Sequence, residues 1–571
     1  MAAHQSGRLD EAVAGYTAVL AAEPNHAIVH CNLGLALQAR GDFQGAATAF
    51  RRAAELQPDL VQAHAGLAGV LDHFGRLDDA IANYQRALAI DPSDVVSINN
   101  LGGVMLRAAR VDEARRVLES GLLLSPENPS LLLNYGNALR RAGQPDEAIA
   151  VYERVLAVQP TMLEARVNLG HVLRECGRWI EAINVYERAL FDGLPLPEGY
   201  INIAGVLADQ DMFGAAVAIS EAAVAAGGDT YQYAVKHAFL LLSLGVFKRG
   251  WIEFEQRLKT RKWSAEKAIP EPPARWKGES LHGKTILVRA EQGLGDLVLF
   301  GGMLPDVVAS AGKVMFECRP RLARTFARSF PGVEIVEPGF HLKNPAQLAA
   351  CDYQIMLASL GQYLRPELRS FPRHVGYLRS DAGRVAALRA KYRGLAGGRA
   401  VVGVAWRSQN PKLGSAKSAD LAEWGAVLGT ALVSPGAWFV NLQYGEVAAD
   451  LAAARERLGV EVYQDPEIDS GGDLDDFFAQ VAACDLVIST SNTTVHVAGS
   501  QNVPCWVVLP RGVGSLWYWF LDRSDSPWYP SVKLYRQASA LGTPGWWREP
   551  VARVGADLAA WLAGRGKKAD A

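Results

Sequence analysis

Three short stretches of the chain carry side chains suited to holding a phosphate and moving a proton. The first is Ser489-Thr-Ser-Asn-Thr-Thr494, a run of hydroxyls and amides between apolar Leu486–Ile488 and the segment Thr494–Ser500. The pattern predicts a strand, a polar turn and a helix, with the next strand at Pro504–Leu509. Such a turn presents free backbone N–H groups and the positive end of a helix dipole. Asn492, Thr493 and Thr494 add side-chain donors for a phosphate, or else they cap the helix. His496, one turn further, either touches the ligand or is a satisfied core histidine. The second stretch is Glu291-Gln-Gly-Leu-Gly-Asp296, where Gly293 and Gly295 let the chain turn close to a ligand. Asp296 is the candidate general base, with Glu291 as its competitor and a helix N-cap as its alternative role. The third stretch comprises the loops after two further strands. One carries Arg407, Lys412, Lys417 and Ser418, and the other Gln443 and Tyr444. Lys417 and Arg407 are placed to neutralise phosphate, Ser418 to donate to it, and Gln443 and Tyr444 to frame a base or ribose.

These residues need a scaffold of alternating strands and helices. Strands are expected at Lys284–Ala290, Val314–Glu317, Val333–Val336, Tyr353–Leu357, Val401–Trp406 and Trp438–Leu442, with helical stretches between them. That alternation implies parallel sheets covered on both faces, with ligands at the carboxyl ends of the strands. Asp473-Leu-Asp475 has the DxD spacing of metal-dependent transferases but precedes a helix, so it reads as an N-cap and acidic first turn, and no metal is expected. Trp517, Tyr518, Trp519, Trp528 and Tyr529 line either a pocket or a core.

The chain has 571 residues, too many for one core. Charged residues make up 21% and the formal net charge is −2, which excludes the polybasic signature of a nucleic-acid or membrane-surface binder. Six scattered cysteines show no CxxC pair, which fits a reducing compartment. Met1–Leu9 is polar and no run approaches a transmembrane length, so the expectation is a cytoplasmic protein without membrane insertion.

The first half repeats every 34 residues. Pro24, Pro58, Pro92, Pro126 and Pro160 keep that interval, as do Ala12, Ala46, Ala80, Ala114, Ala148 and Ala182. Tyr16, Phe50, Tyr84, Tyr152 and Tyr186 hold an aromatic position that Leu118 takes once. This resembles the tetratricopeptide repeat, whose helix pairs stack into a solenoid with a concave protein-binding groove. The pattern fades after Ala189, and Ile203–Ala226 and Tyr231–Arg257 read as degenerate or capping helices. Asn32, Asn100, Asn134, Asn168 and Asn202 lie on the same grid. An amide pairs with both groups of a peptide backbone, so this column either grips an extended acceptor or ties its own helix pairs together. It looks like the asparagine ladder of O-linked N-acetylglucosamine transferase, which implies acceptor binding.

Residues 276–537 resemble the heptosyltransferase-related domain of bacterial repeat proteins and, more broadly, the GT-B glycosyltransferase fold of two Rossmann-like halves. The shared marks are Trp276-x-Gly278, Glu291–Asp296, Gly403-Val-Ala-Trp406, Leu442-Gln-Tyr-Gly445, Asp485-Leu-Val-Ile-Ser489, His496-x-Ala-Gly499 and Ser526-Pro-Trp-Tyr-Pro530. The usual Asp-Thr pair is replaced by Ser491-Asn492-Thr493, which points away from an ADP-heptose donor. Repeats joined to this domain look most like the flagellin glycosyltransferases that attach a nonulosonic acid of the pseudaminic-acid type. The resemblance implies a CMP-activated donor, no tightly bound cofactor, and flagellin as partner, with a flagellin chaperone or export factor as a further candidate. Asp296 would then activate the acceptor hydroxyl and Lys417 offset the leaving phosphate. The rival readings are a transferase acting on a lipid, polysaccharide or other protein, and a repeat scaffold with an inactive domain. The expected layout is a solenoid over 1–225, capping helices and linker over 226–275, an N-terminal half over 276–378, a nucleotide-binding half over 379–563 and a disordered tail over 564–571.

Overall fold

A computed structural model describes residues 7–227, 231–259, 273–291, 293–408, 414, 417–433, 436–512, 514–521, 523–538 and 547–569. Gln292, Lys412 and most of the expected linker (260–272) lie outside them. The chain divides into two compact units, Met1–Leu194 and Pro195–Ala571.

The first unit is built from helix pairs. A 13-residue helix followed by a 14-residue one recurs as Ala27–Ala39 with Phe43–Leu56, Val61–His73 with Leu77–Ile90, Val95–Arg107 with Val111–Leu124, and Pro129–Arg141 with Pro145–Val158. Gly34, Gly102, Gly136 and Gly170 share one position of the 34-residue grid, and the reason is steric. A Cβ on Gly34 would come within 2.8 Å of the Phe50 ring, and on Gly136 within 2.7 Å of Tyr152. The aromatic of the second helix therefore fills the space the glycine leaves in the first. Each pair turns through a left-handed residue, and these also fall 34 apart: Gly41, Gly75, Ala109, Gly143 and Gly177.

The second unit opens with two more helix pairs, Leu196–Asp209 with Phe213–Ala226 and Tyr231–Ser243 with Phe247–Phe254. Their turns at Asp211 and Gly245 again have positive φ and continue the 34-residue interval. The repeat thus persists beyond Ala189 in backbone conformation although its side-chain signature fades. These helices belong to the same compact unit as the α/β portion, which begins at Pro195 and not at the expected 226. Trp251 is the anchor: its indole N–H donates to the Arg365 carbonyl at 2.8 Å, and its ring occupies the space where a Gly361 side chain would lie.

Two parallel sheets follow. The first holds β1 (Ala274–Arg275), β2 (Thr285–Arg289), β3 (Lys313–Glu317), β4 (Val333–Val336) and β5 (Tyr353–Met356) in the order β1-β5-β2-β3-β4. β1 pairs with β5 through Ala274 and Arg275, so this sheet starts two residues before the expected 276. The second holds β6 (Ala400–Ala405), β7 (Ala437–Asn441), β8 (Val462–Tyr463), β9 (Leu486–Thr490), β10 (Cys505–Leu509) and β11 (Val532–Arg536) in the order β11-β10-β9-β6-β7-β8. Counted within that sheet, the order is the doubly wound 3-2-1-4-5-6, which reverses between β6 and β9. In the first sheet it reverses between β2 and β5. β6 and β9 are buried along their whole length, as strands covered on both faces must be.

The last helix runs from Arg548 to Ala569, so the tail expected to be disordered is helical through Ala569. Trp547, Val551, Val554, Leu558 and Leu562, spaced by three and four residues, seat it in the core of the second sheet.

Candidate active site

Both switch points feed one cleft of about 650 Å³. From the first sheet, the turn after β2 delivers Gly293, Leu294, Gly295 and Asp296 into the helix Leu294–Gly301. From the second, the turn after β9 delivers Ser491, Asn492 and Thr493 into the helix Thr493–Ser500. The two helix starts nearly touch. A Cβ on Gly295 would lie 3.1 Å from His496 Cδ2 and 3.6 Å from Thr493 Oγ1, so any larger residue would press on the His496 ring. Two helix N-termini therefore open on the same space, an arrangement that favours an anion.

Asp296 stands in the first turn of its helix, while Gly293 is the N-cap. The carboxylate reaches back to the Gly293 N–H. Its pKa is raised from 3.8 to about 6, chiefly by burial and further by the Glu291 charge, against the opposing pull of Gly293 and Lys417. Lys417 comes from the loop after β6 and is only 4% exposed. Burial depresses its pKa and the Asp296 charge counters that. His496 is neutral, its pKa pushed down to about 3 by burial and by Lys417. Its Nδ1 lies 3.0 Å from the Tyr529 hydroxyl and its Nε2 3.4 Å from that of Tyr518.

Of the residues expected from sequence, Gly293, Gly295, Asp296, Lys417, Tyr444, Asn492, Thr493 and His496 line the cleft. Asn492 is also a helix cap: its Oδ1 accepts the Thr494 N–H at 2.9 Å and its Nδ2 donates to the Arg407 carbonyl at 3.1 Å. Other expectations are corrected. The Arg407 guanidinium pairs with Asp450 at 2.8 Å and binds the Glu446 carbonyl, so its charge is spent outside the cleft. The Ser418 hydroxyl donates to the Gly414 carbonyl and accepts the Ser408 N–H, bracing its own loop. Gln443 is a strand-end brace whose Oε1 accepts the Trp406 and Arg407 N–H groups at 3.0 and 2.7 Å. Thr494 is fully buried and bonds the Leu442 carbonyl. Glu291 is no rival base, because Arg257 and the Ala358 N–H hold both its oxygens. Asp473 and Asp475 bind Arg324 and Arg328 at 3.1 and 2.6 Å; Leu474 occupies the N-cap position and Asp475 begins the helix.

Sequence reasoning missed part of the wall. Phe239 and Phe254 enter from the last helix pair, with Arg321, Ser470 and Gly471 from either side. Trp517 joins the elements: its ring centroid lies 6.5 Å from Phe239, 6.0 Å from Phe254 and 6.2 Å from Phe300. The 34-residue step from Asp211 to Gly245 was the available signal that a full helix pair, with these phenylalanines on it, precedes the first sheet. Trp519 and Tyr529 are core residues instead.

The asparagine column divides between the two units. Asn134 Nδ2 donates to Asn99 Oδ1 of the preceding repeat at 2.9 Å, and Asn168 Nδ2 to Asn137 Oδ1 at 3.0 Å. Asn100 accepts from Asn99 Nδ2 at 3.4 Å and Asn32 is half-buried. These amides thus tie successive repeats together as well as lining up. Asn202 is buried in the second unit and its Nδ2 has no partner among the described residues, so it is no exposed rung.

The first unit consists of tetratricopeptide repeats: that family matches residues 1–60, 31–95 and 104–165 in one form and 73–133 and 139–193 in another. The chain is 35% identical over 339 residues to Protein FlbA of Caulobacter vibrioides (strain ATCC 19089 / CIP 103742 / CB 15), a match covering 56% of this chain and 55% of that protein. It therefore spans little more than half the length of this curated relative. Among solved structures, it is similar to the APC/C hetero-tetramer Cut9–Hcn1 (19% identity, 42% of this chain and 47% of that one, TM-score 0.36). A tetratricopeptide repeat protein from Parabacteroides merdae ATCC 43184 matches at 15% identity over 42% of this chain and 94% of its own, TM-score 0.36. Among the described residues no helix is long and apolar enough to cross a membrane.

Proposed function

We propose that the chain is a protein O-glycosyltransferase of the GT-B kind. In this reading it transfers a nonulosonic acid of the pseudaminic-acid type from a CMP-activated donor to Ser or Thr of flagellin. The repeats provide the protein-binding scaffold, and flagellin is the partner this reading assigns to them. One observation carries the chemistry: a carboxylate with a pKa near 6 and a buried lysine, supplied by opposite halves, line one cleft onto which two helix N-termini open.

The step balances with those groups alone. The acceptor hydroxyl gives its proton to Asp296 while its oxygen bonds to the anomeric carbon. The bond from that carbon to the phosphate oxygen breaks, and CMP leaves with the electron pair. Lys417 and the backbone N–H groups of Asn492 and Thr493 offset the charge that accumulates on the phosphate. A carboxylate near 6 remains ionised at neutral pH yet is a stronger base than an ordinary one. His496, neutral and held by two tyrosines, orients rather than exchanges protons.

The test is intact-mass analysis of flagellin from cells with and without this protein. A mass difference of whole nonulosonic-acid units supports the reading. Identical masses overturn it.

A further inference from the structure

The cleft presents two cations, one from each half; the Asp296 charge acts on Lys417, and no carboxylate among the described residues pairs with Arg321. Lys417 is almost wholly buried, and its ammonium makes no hydrogen bond or ion pair with a described residue. An ammonium on so buried a side chain, with Asp296 as the one carboxylate acting on it, favours a bound anion at the cleft. Arg321, from the start of the helix Pro320–Ser329 after β3, also lines the cleft. Its Nε and Nη2 donate to the carbonyls of Gly472 and Ser470 at 2.7 and 3.0 Å. Those carbonyls fix the guanidinium plane without neutralising it, and no carboxylate among the described residues pairs with it. The neighbouring arginines on the same helix are different: Arg324 and Arg328 each have an aspartate.

We propose that the site takes a ligand with two separate negative groups, one on Lys417 and one on Arg321. The inference rests on the glycosyltransferase reading and narrows its donor. With a phosphate diester at Lys417, the second anion is a carboxylate on the transferred sugar or a second phosphate of a nucleoside diphosphate. A neutral sugar on a nucleoside monophosphate leaves Arg321 unused. Because the cations belong to opposite halves, a donor with two separate anionic groups spans the cleft, whereas a nucleotide whose charge lies on one phosphate occupies one side of it. Arg321 is then a specificity-determining residue.

The experiment is calorimetric titration of the full chain with CMP, CMP-N-acetylneuraminic acid and UDP-N-acetylglucosamine, for the natural protein, Arg321→Gln and Arg321→Lys. The expected result is that Arg321→Gln weakens the sugar acid about tenfold and leaves CMP within about twofold, as for a charge-assisted contact made to the second group alone. Arg321→Lys keeps the charge and should recover most of that loss, which a residue that merely held the 470–472 loop would not do. A tenfold loss confined to the UDP-sugar supports the two-anion ligand and assigns the second group to phosphate. Equal losses for CMP and both sugars, or no loss for any, overturn the proposal. If the natural protein binds none of the three, the nucleotide-sugar reading itself falls.

Discussion

Arg257 clasps Glu291 with two contacts, at 2.6 and 2.9 Å, and their side chains are only 5% and 2% exposed. Arg257 follows the last helix pair, and Glu291 opens the glycine turn that delivers Asp296. The helices are therefore part of what shapes the turn. Residues 195–571 should fold and bind CMP compounds, whereas residues 271–571 should not. The shorter piece leaves Glu291 buried without its cation, a loss of roughly 3–5 kcal/mol, and removes Trp251 from its seat. Circular dichroism melting and CMP titration of the two pieces check this. A cooperative melt and full CMP affinity in 271–571 would refute it.

Asp296→Asn should lower flagellin modification by about 10²–10⁴-fold, the usual contribution of general base catalysis. The fold should survive, since the amide oxygen can still accept the Gly293 N–H. The sign of the pKa shift also matters for stability. A carboxyl raised from 3.8 to about 6 subtracts stability as pH rises through that window, so the Asn variant should melt no lower than the natural protein at pH 7.5. Thermal melts beside a transfer assay separate the two effects.

The pH dependence of kcat/KM should show an acid limb near pH 6 and no inflection from His496. In the proposed transfer Asp296 must be ionised to accept a proton, so activity should fall as pH drops below its pKa. His496 at about 3 remains neutral throughout the working range. Should the acid limb remain near 6 in Asp296→Asn, the group responsible is not Asp296.

Ala109 occupies a turn position that is filled elsewhere by Gly7, Gly41, Gly75, Gly143, Gly177 and Gly245, and it does so at φ +60°. An L-residue pays roughly 1 kcal/mol there, part of which glycine gives back through its looser unfolded chain. Ala109→Gly should therefore stabilise the repeats by no more than about 0.5 kcal/mol. Urea unfolding of residues 1–194 measures it, and a destabilised variant would contradict the assignment.

Replacing Asn100, Asn134 and Asn168 together with Ala should reduce flagellin retention in a pull-down by about one to three orders of magnitude in affinity. Because Asn134 and Asn168 also bond the preceding repeats, the melting temperature should fall too. Replacing Asn99 and Asn137 instead removes those inter-repeat acceptors while leaving the column intact. Equal loss of flagellin in both variants would mean that the column acts only by holding repeats together.

The repeat and the sheets were legible because each rests on a local rule. A proline and a small residue every 34 positions mark helix pairs, and short apolar runs flanked by glycine and polar turns mark buried strands. The turn at Asn492–Thr494 and the one ending at Asp296 could be read as cleft residues for the same reason, since each follows a strand. What the sequence hid depends on contacts distant along the chain. Gln443 and Arg407 have the residue types of a nucleotide site, but their partners at Trp406 and Asp450 are set by how β6 and β7 pair and by the helix that follows. Arg321 has nothing in its neighbourhood to mark it out from Arg324 and Arg328 until the acidic residues around 473–475 are folded against that helix. The end of the repeat was misjudged because its side chains diverge while the backbone turns at 211 and 245 do not.

The apolar core of the second unit runs without interruption from Ala238 and Trp251 through both sheets to Leu534. Prising the two halves apart would expose that shared interior and break the contacts of Asp475 with Arg328 and Thr325. A wide hinge opening would therefore be costly, and small molecules are expected to enter by rearrangement of side chains and of the loops at the rim. Residues 195–571 should accordingly give the same small-angle scattering radius of gyration with and without saturating CMP-sugar. Catalytic turnover would then be paced by local events on the rim rather than by the swing of a domain.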